Sequence, residues 1–320
     1  MTRRAKKIFI IISSCIVIVA MAGLAVVSII FKPLEGPRII GTIKSMTIKE
    51  KDIINDYGIN QNIKLKIFLP KNYDAGKKYP IIYLLDGDSL FKAAAGYLSE
   101  MIEKNPDKGA ILVGIGYGYY NSYLAKFGQG RWRDYTFKED PQFSGIANGP
   151  NFYKFLSEKL VPDIQKIYKA DTSKSTLMGH STGGDFTYYA FLQYDPSKKD
   201  ANPFANFIVA DGGDEKHFVD VWMPEFEKRM QQNSNAAHQT ITLYRVYGYL
   251  VNPDNLYKIE DLHKWLEGKN YKEIEAYRYY PLNDDHGATM KTFIVNGLKM
   301  VLEDKEGFLT YDDESSFNFE

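Results

Sequence analysis

The stretch that most constrains this chain is KSTLMGHSTGGDFTYY, residues 174–189. Its centre, Gly179-His180-Ser181-Thr182-Gly183, is a G-x-S-x-G pentapeptide. A short apolar run at 175–178 precedes it and reads as a buried strand. An aromatic and apolar run at 186–192 follows and reads as a helix. Strand, sharp turn and helix form the setting that lifts a serine hydroxyl clear of a sheet. Glycines on both sides of Ser181 fit because a Cβ there would collide with the neighbouring strand or helix. The turn itself predicts a strained backbone at Ser181. The helix N-terminus that follows favours negative charge at the reacting centre. Without its flanks the pentapeptide would be an ordinary Gly/Ser turn.

The rest of the chain alternates strands with helices. Strands are expected at 46–54, 63–69, 80–85, 110–115, 207–210, 240–247 and 274–280. The run PIIYLL at 80–85 is continuously apolar, as a strand buried inside a parallel sheet must be. Helical spacing marks 94–104, 219–230, 255–267 and 288–303. It also marks 151–168, with Phe155, Leu156, Leu160, Ile164 and Ile167 on one face. Residues 121–148 read as a long irregular loop, rich in aromatics and packed beside a site. This order predicts a mostly parallel α/β sheet covered on both faces. Glycines at 114, 116 and 118 do not complete a G-x-G-x-x-G phosphate loop.

The N-terminus adds an expectation of its own. Residues 8–31 carry no charge and follow Arg3, Arg4, Lys6 and Lys7. As a helix, 24 residues span about 36 Å at ~1.5 Å each, enough for a bilayer core of ~30 Å. That length favours an uncleaved transmembrane signal anchor over a cleaved signal with its ~7–15-residue apolar region, which remains the alternative. The basic flank stays in the cytoplasm, so the domain is expected outside it. The expected layout is an anchor at 1–31, a Pro/Gly linker at 32–41, a catalytic domain at 42–303 and an acidic tail at 304–320. The chain has 40 basic and 40 acidic residues. Outside the basic flank there is no excess of positive charge, and nucleic-acid binding is not expected. Cys15, the only cysteine, falls in the apolar run, so the exported domain has neither disulfide nor thiolate metal site.

A serine hydroxyl needs a base to take its proton, and histidine suits neutral water. Of five histidines, His180 lies within the pentapeptide, its ring expected to point away from Ser181 in a structural role. His263 reads as a surface residue and His238 as part of a polar loop; His217, after Asp-Gly-Gly-Asp, reads as a loop residue able to line a pocket. His286, in Asp284-Asp285-His286-Gly287 after the last strand, fits the chain order of serine, acid, histidine and is the expected base. Stabilising the oxyanion takes two N–H donors. One is expected from Thr182, directly after the nucleophile, and the other from the loop after an early strand, where Asp86-Gly87-Asp88 stands. Arg131, Arg133 and Asp134 are read as an Arg–Asp pairing that holds the loop, with binding of an acidic substrate as the competing role.

Several ordered motifs together resemble a known group. They are Tyr79-Pro80 with IIYLLDG at 81–87, VGIGYG at 113–118, RWRDYT at 131–136, FLSEKLVPDI at 155–164, GHSTGG at 179–184 and DHG at 285–287. The chain is similar to the putative-esterase group of the α/β-hydrolase fold, which includes esterase D, feruloyl esterases, enterochelin-type esterases and mycolyltransferases. Residues 201–239 carry little of the pattern, and Asp185 stands where a small or apolar residue is usual. The resemblance implies an α/β-hydrolase fold and a serine hydrolase acting on a carboxylic ester through Ser181, with neither cofactor nor metal. It implies the Asp88 amide as the second oxyanion donor. It places the acid in the loop after the strand at 240–247, where Asp254 is the next carboxylate, 32 residues before His286. Asp254 has a competing role as a helix N-cap, and Glu260 or a Ser–His dyad are the other readings. Acyl transfer to an alcohol, and a catalytically silent binding protein on the same fold, are the rival functions.

Overall fold

A computed structural model describes residues 47–58, 61–71, 73–118, 127–138, 147–198, 202–212, 218–233, 241–246, 264–269, 271–272, 274–279 and 285–303. Eight strands make one sheet: β1 (Thr47–Asn55), β2 (Gln61–Leu69), β3 (Tyr79–Leu84), β4 (Ile111–Gly116), β5 (Ala170–His180), β6 (Asn206–Ala210), β7 (Ile241–Val246) and β8 (Ile274–Tyr279). Their spatial order is β1-β2-β4-β3-β5-β6-β7-β8. β2 pairs antiparallel with both β1 and β4, and every other pairing is parallel. Only β2 therefore runs against the rest. This is an α/β-hydrolase-like sheet, mostly parallel, as the alternation of elements predicts.

Side-chain alternation along the strands sorts the core into two halves. On one face Ile81, Tyr83, Leu85, Val113 and Leu177 pack with the aromatic residues of three helices. These are α3 (Gly149–Phe155), α4 (Val161–Tyr168) and α5 (Thr182–Leu192). On the other face Ile82, Leu84, Leu112, Met178 and Ile208 pack with α1 (Gly87–Lys104) and α7 (Thr289–Leu302). Each fully buried side chain of this kind contributes about 1.5–3 kcal/mol. One structural feature positions the site. The C-terminal ends of β3, β5 and β6 each lead into a non-glycine residue with positive φ: Asp86 at 53°, Ser181 at 58° and Asp211 at 47°. Adjacent parallel strands thus deliver three strained residues to one edge of the sheet.

The structure departs from expectation in several elements. Helix α2 (Phe127–Tyr135) lies inside the stretch read as an irregular loop. Gly128 and Gly130 depress its helix propensity, and its burial is decided by long-range packing: a Cβ on Gly130 would strike the Tyr117 ring. The helix expected over 151–168 is interrupted by a π-turn at Leu156–Leu160. Another π-turn, Phe218–Trp222, precedes α6 (Met223–Gln232). β5 begins earlier than expected: buried Ala170 pairs with Tyr79 of β3, and the polar residues 171–174 follow before the pairing resumes at Ser175 and Ile81. Among the described residues no helix is long and apolar enough to cross a membrane. The expected anchor at 1–31, the linker and the acidic tail lie outside the described residues.

Candidate active site

Ser181 joins β5 directly to α5. Its φ of 58° and ψ of −127° lie where L-residues are rare. Its N–H is held by the Ala210 carbonyl at 2.8 Å, and its own carbonyl accepts the Asp185 N–H at 2.9 Å. The turn is tight on both sides. A Cβ at Gly179 would collide with the Gly183 carbonyl and the Thr187 hydroxyl, and one at Gly184 would reach the Ala210 carbonyl. Thr182 is the first residue of α5, so its N–H belongs to the open first turn.

His286 stands in the turn before α7, its side chain 54% exposed. Its Nδ1 is 3.1 Å from Oδ2 of Asp211, whose side chain is fully buried. The Thr289 hydroxyl donates to the same Asp211 oxygen. That hydroxyl has one proton, so it is the acceptor for His180, whose Nε2 lies 3.1 Å away. Nε2 of His180 also lies 3.0 Å from the His286 carbonyl and 3.4 Å from Asp211 Oδ2. His180 therefore carries its proton on Nε2 and shares it between Thr289 and the His286 carbonyl. The elbow histidine thus ties the turn bearing Ser181 to the turn bearing His286. The nitrogen and oxygen atoms of His180, Asp211 and His286 lie within 4.8 Å of one another, a donor set that suits a metal ion. All three atoms already serve this hydrogen-bond network.

Asp88 lies in the first turn of α1, after the left-handed Asp86. Its buried carboxylate accepts the Tyr117 N–H at 2.5 Å and the Gly118 N–H at 3.0 Å. Asp86 is bound by a buried fork: Arg131 Nε to Oδ1 at 2.8 Å and Nη2 to Oδ2 at 3.0 Å. Burial opposes the Arg131 charge, but the Asp86 carboxylate outweighs it and holds the guanidinium protonated, above its ordinary pKa. Arg133 forms a second pair, with Asp134, at 2.9 Å. Asp134 also accepts from the Tyr117 hydroxyl and the Asn148 side chain. Arg133 thus pairs with Asp134, whereas Arg131 pairs with Asp86, a partner the sequence reading did not name. Burial and the Asp134 charge push the Tyr117 phenol well above its ordinary pKa, so it remains a donor.

The family model described as putative esterase matches residues 57–240. The chain belongs to this esterase family. It is 31% identical over 174 residues to the ferri-bacillibactin esterase BesA of Bacillus subtilis, covering 48% of this chain and 56% of that protein's length. Its fold is similar to the BES protein from Bacillus cereus, with TM-score 0.66 and 21% identity over 82% of this chain and 98% of that one. It is also similar to the siderophore hydrolase EstB from Aspergillus nidulans, with TM-score 0.63 and 16% identity over 83% and 97% of the two chains.

Among the residues expected at the site, Asp88 lies in the first turn of α1, Ser181 and Thr182 at the β5–α5 turn and His286 in the turn before α7. Asp254, expected to orient the base, lies outside the described residues, as do His217, His238 and His263. The carboxylate found against His286 is Asp211, which sequence reasoning missed. A signal was present: Asp211-Gly212 directly follows the last residue of β6, and a Cβ on Gly212 would strike the backbone of Asp185 and Gly184.

Proposed function

We propose that this esterase-family chain hydrolyses a carboxylic ester through an acyl-enzyme on Ser181. The observation that carries the reading is the strained Ser181 turn, tied through His180 to a His286–Asp211 pair. His286 Nε2 takes the Ser181 proton as Oγ attacks the ester carbonyl carbon. Asp211 accepts from Nδ1–H and stabilises the imidazolium that forms. The N–H groups of Thr182 and Asp88 receive the developing oxyanion. The tetrahedral intermediate collapses, the C–O bond breaks, and His286 returns its proton to the leaving alcohol. Water, deprotonated by His286, then releases the acid and restores Ser181. Asp211 is proposed here for the part that the resemblance implies for Asp254. None of these steps calls on a metal or a cofactor.

The substrate class is proposed as a siderophore ester, on the name of the ferri-bacillibactin esterase to which the chain is similar. The location is proposed from the uncharged run at 8–31: a domain outside the cytoplasm, tethered to the membrane by that run. The experiment is covalent labelling with a fluorophosphonate, followed by turnover of p-nitrophenyl esters of varied chain length and of ferri-bacillibactin. Ser181→Ala is expected to abolish labelling and turnover together. Labelling that persists in that variant would sink the assignment.

A further inference from the structure

Arg131 has more reach than an ion pair needs. Its fork closes on Asp86, the left-handed residue between the end of β3 and the start of α1. Its Nη2 also lies 3.4 Å from the carbonyl of His180, the last residue of β5 before Ser181. The two oxyanion donors lie just beyond these two contacts. Asp88 is two residues after Asp86, and Thr182 is two residues after His180. Asp86 Oδ2 would lie 3.1 Å from a Cβ on Gly183, so the carboxylate rests against the first turn of α5. The N–H of Asp86 is itself 3.3 Å from the hydroxyl of Tyr135, on the same helix as Arg131. The guanidinium also lies over the Tyr135 ring, 5.7 Å from its centroid.

We propose that Arg131 is a positioning residue for the oxyanion hole, fixing the strand ends that carry the Asp88 and Thr182 amides. The claim rests on the proposed role of those two amides. The guanidinium acts in two ways. It cross-links β3 and β5 where both backbones are strained, and strain persists only when the surroundings over-determine it. It also neutralises Asp86, a buried carboxylate beside a site where negative charge develops in the transition state. A lysine supplies the charge but not the planar fork.

The test compares Arg131→Met and Arg131→Lys with the parent protein on a p-nitrophenyl ester and its thiono analogue. Each rate is divided by the uncatalysed hydroxide rate. A hole shaped for oxygen favours the carbonyl ester, because sulfur is larger and a weaker acceptor. Arg131→Met is expected to lower kcat by about 10²–10³, the scale of losing one oxyanion donor, with KM changed only a few-fold. Its preference for the carbonyl ester should collapse towards one. Arg131→Lys should fall between, and it decides the matter if the Met variant does not fold. A variant that keeps the parent preference, or that raises KM with kcat unchanged, overturns the proposal; the second result would make Arg131 a substrate-binding residue. A parent protein with no carbonyl preference would overturn the assignment of the Thr182 and Asp88 amides, and the positioning role with it.

Discussion

Asp211 and His286 are 75 residues apart in the chain, yet Oδ2 of one lies 3.1 Å from Nδ1 of the other. The contact exists because β6 ends at Ala210 next to the Ser181 turn, and α7 packs on the same half of the core as Ile208 and Ala210. Asp211→Asn is expected to keep the fold, since asparagine tolerates positive φ. It should lower kcat by about 10⁴ if the serine-protease template transfers, because the amide favours the wrong imidazole tautomer. Steady-state kinetics beside Asp254→Asn checks the assignment. If Asp254→Asn is the more damaging, Asp211 is a structural partner and the acid is the residue at 254.

Thr289 gives a second, quieter test of the same network. Its hydroxyl donates to Asp211 and accepts from His180, and its side chain is fully buried. Thr289→Val keeps the shape and removes both bonds. A hydrogen bond to a charged group is worth about 1.5–3 kcal/mol. If that support reaches the transition state, kcat falls roughly ten- to a hundredfold with KM little changed. Unchanged kcat with a lowered melting temperature would confine Thr289 to stability.

The sequence makes some of this site visible and hides the rest for physical reasons. Ser181 and Thr182 announce themselves because the elbow is a local device: a buried strand, glycines where no Cβ fits, then a helix. The sheet is equally legible, since strands buried on both faces must be apolar throughout, as β3 and β4 are. Asp211 is not legible as a partner of His286, because the pairing depends on which strand ends lie side by side. The Arg131–Asp86 pair crosses 45 residues and is hidden for the same reason. Helix α2 escapes notice because its glycines argue against it locally while buried Arg131, Asp134 and Tyr135 hold it in place.

The proposed tether makes a separate prediction. A 24-residue uncharged run after four basic residues has the length of a membrane span and the flank of a cytoplasmic N-terminus. Protease added to intact, wall-stripped cells should degrade the domain, and the domain should sediment with membranes. Recovery of the protein wholly from the medium, with a new N-terminus near residue 23, would show cleavage in place of anchoring.

Gly179 and Gly268 offer a matched pair of glycine-to-alanine changes with opposite expectations. Gly179 is the last but one residue of β5, in its buried part, with its Cα against the first turn of α5. A methyl group there would press on the Gly183 carbonyl, which already accepts the Thr187 hydroxyl at 2.8 Å. To make room, α5 must move away from the sheet and carry the Thr182 N–H with it. Overpacking of this kind costs about 1–3 kcal/mol, or more where backbone is the obstacle. Gly179→Ala is therefore expected to lower the melting temperature and, measured well below it, to lower kcat as well. Gly268 lies in helical residues 264–269, and a Cβ there would meet nothing within 4 Å. Gly268→Ala should raise stability by about 0.5–1 kcal/mol through helix propensity and leave turnover alone. Calorimetry and kinetics on both variants check the pair. A Gly179→Ala protein as stable and as active as the parent would mean that the elbow has slack that its geometry denies.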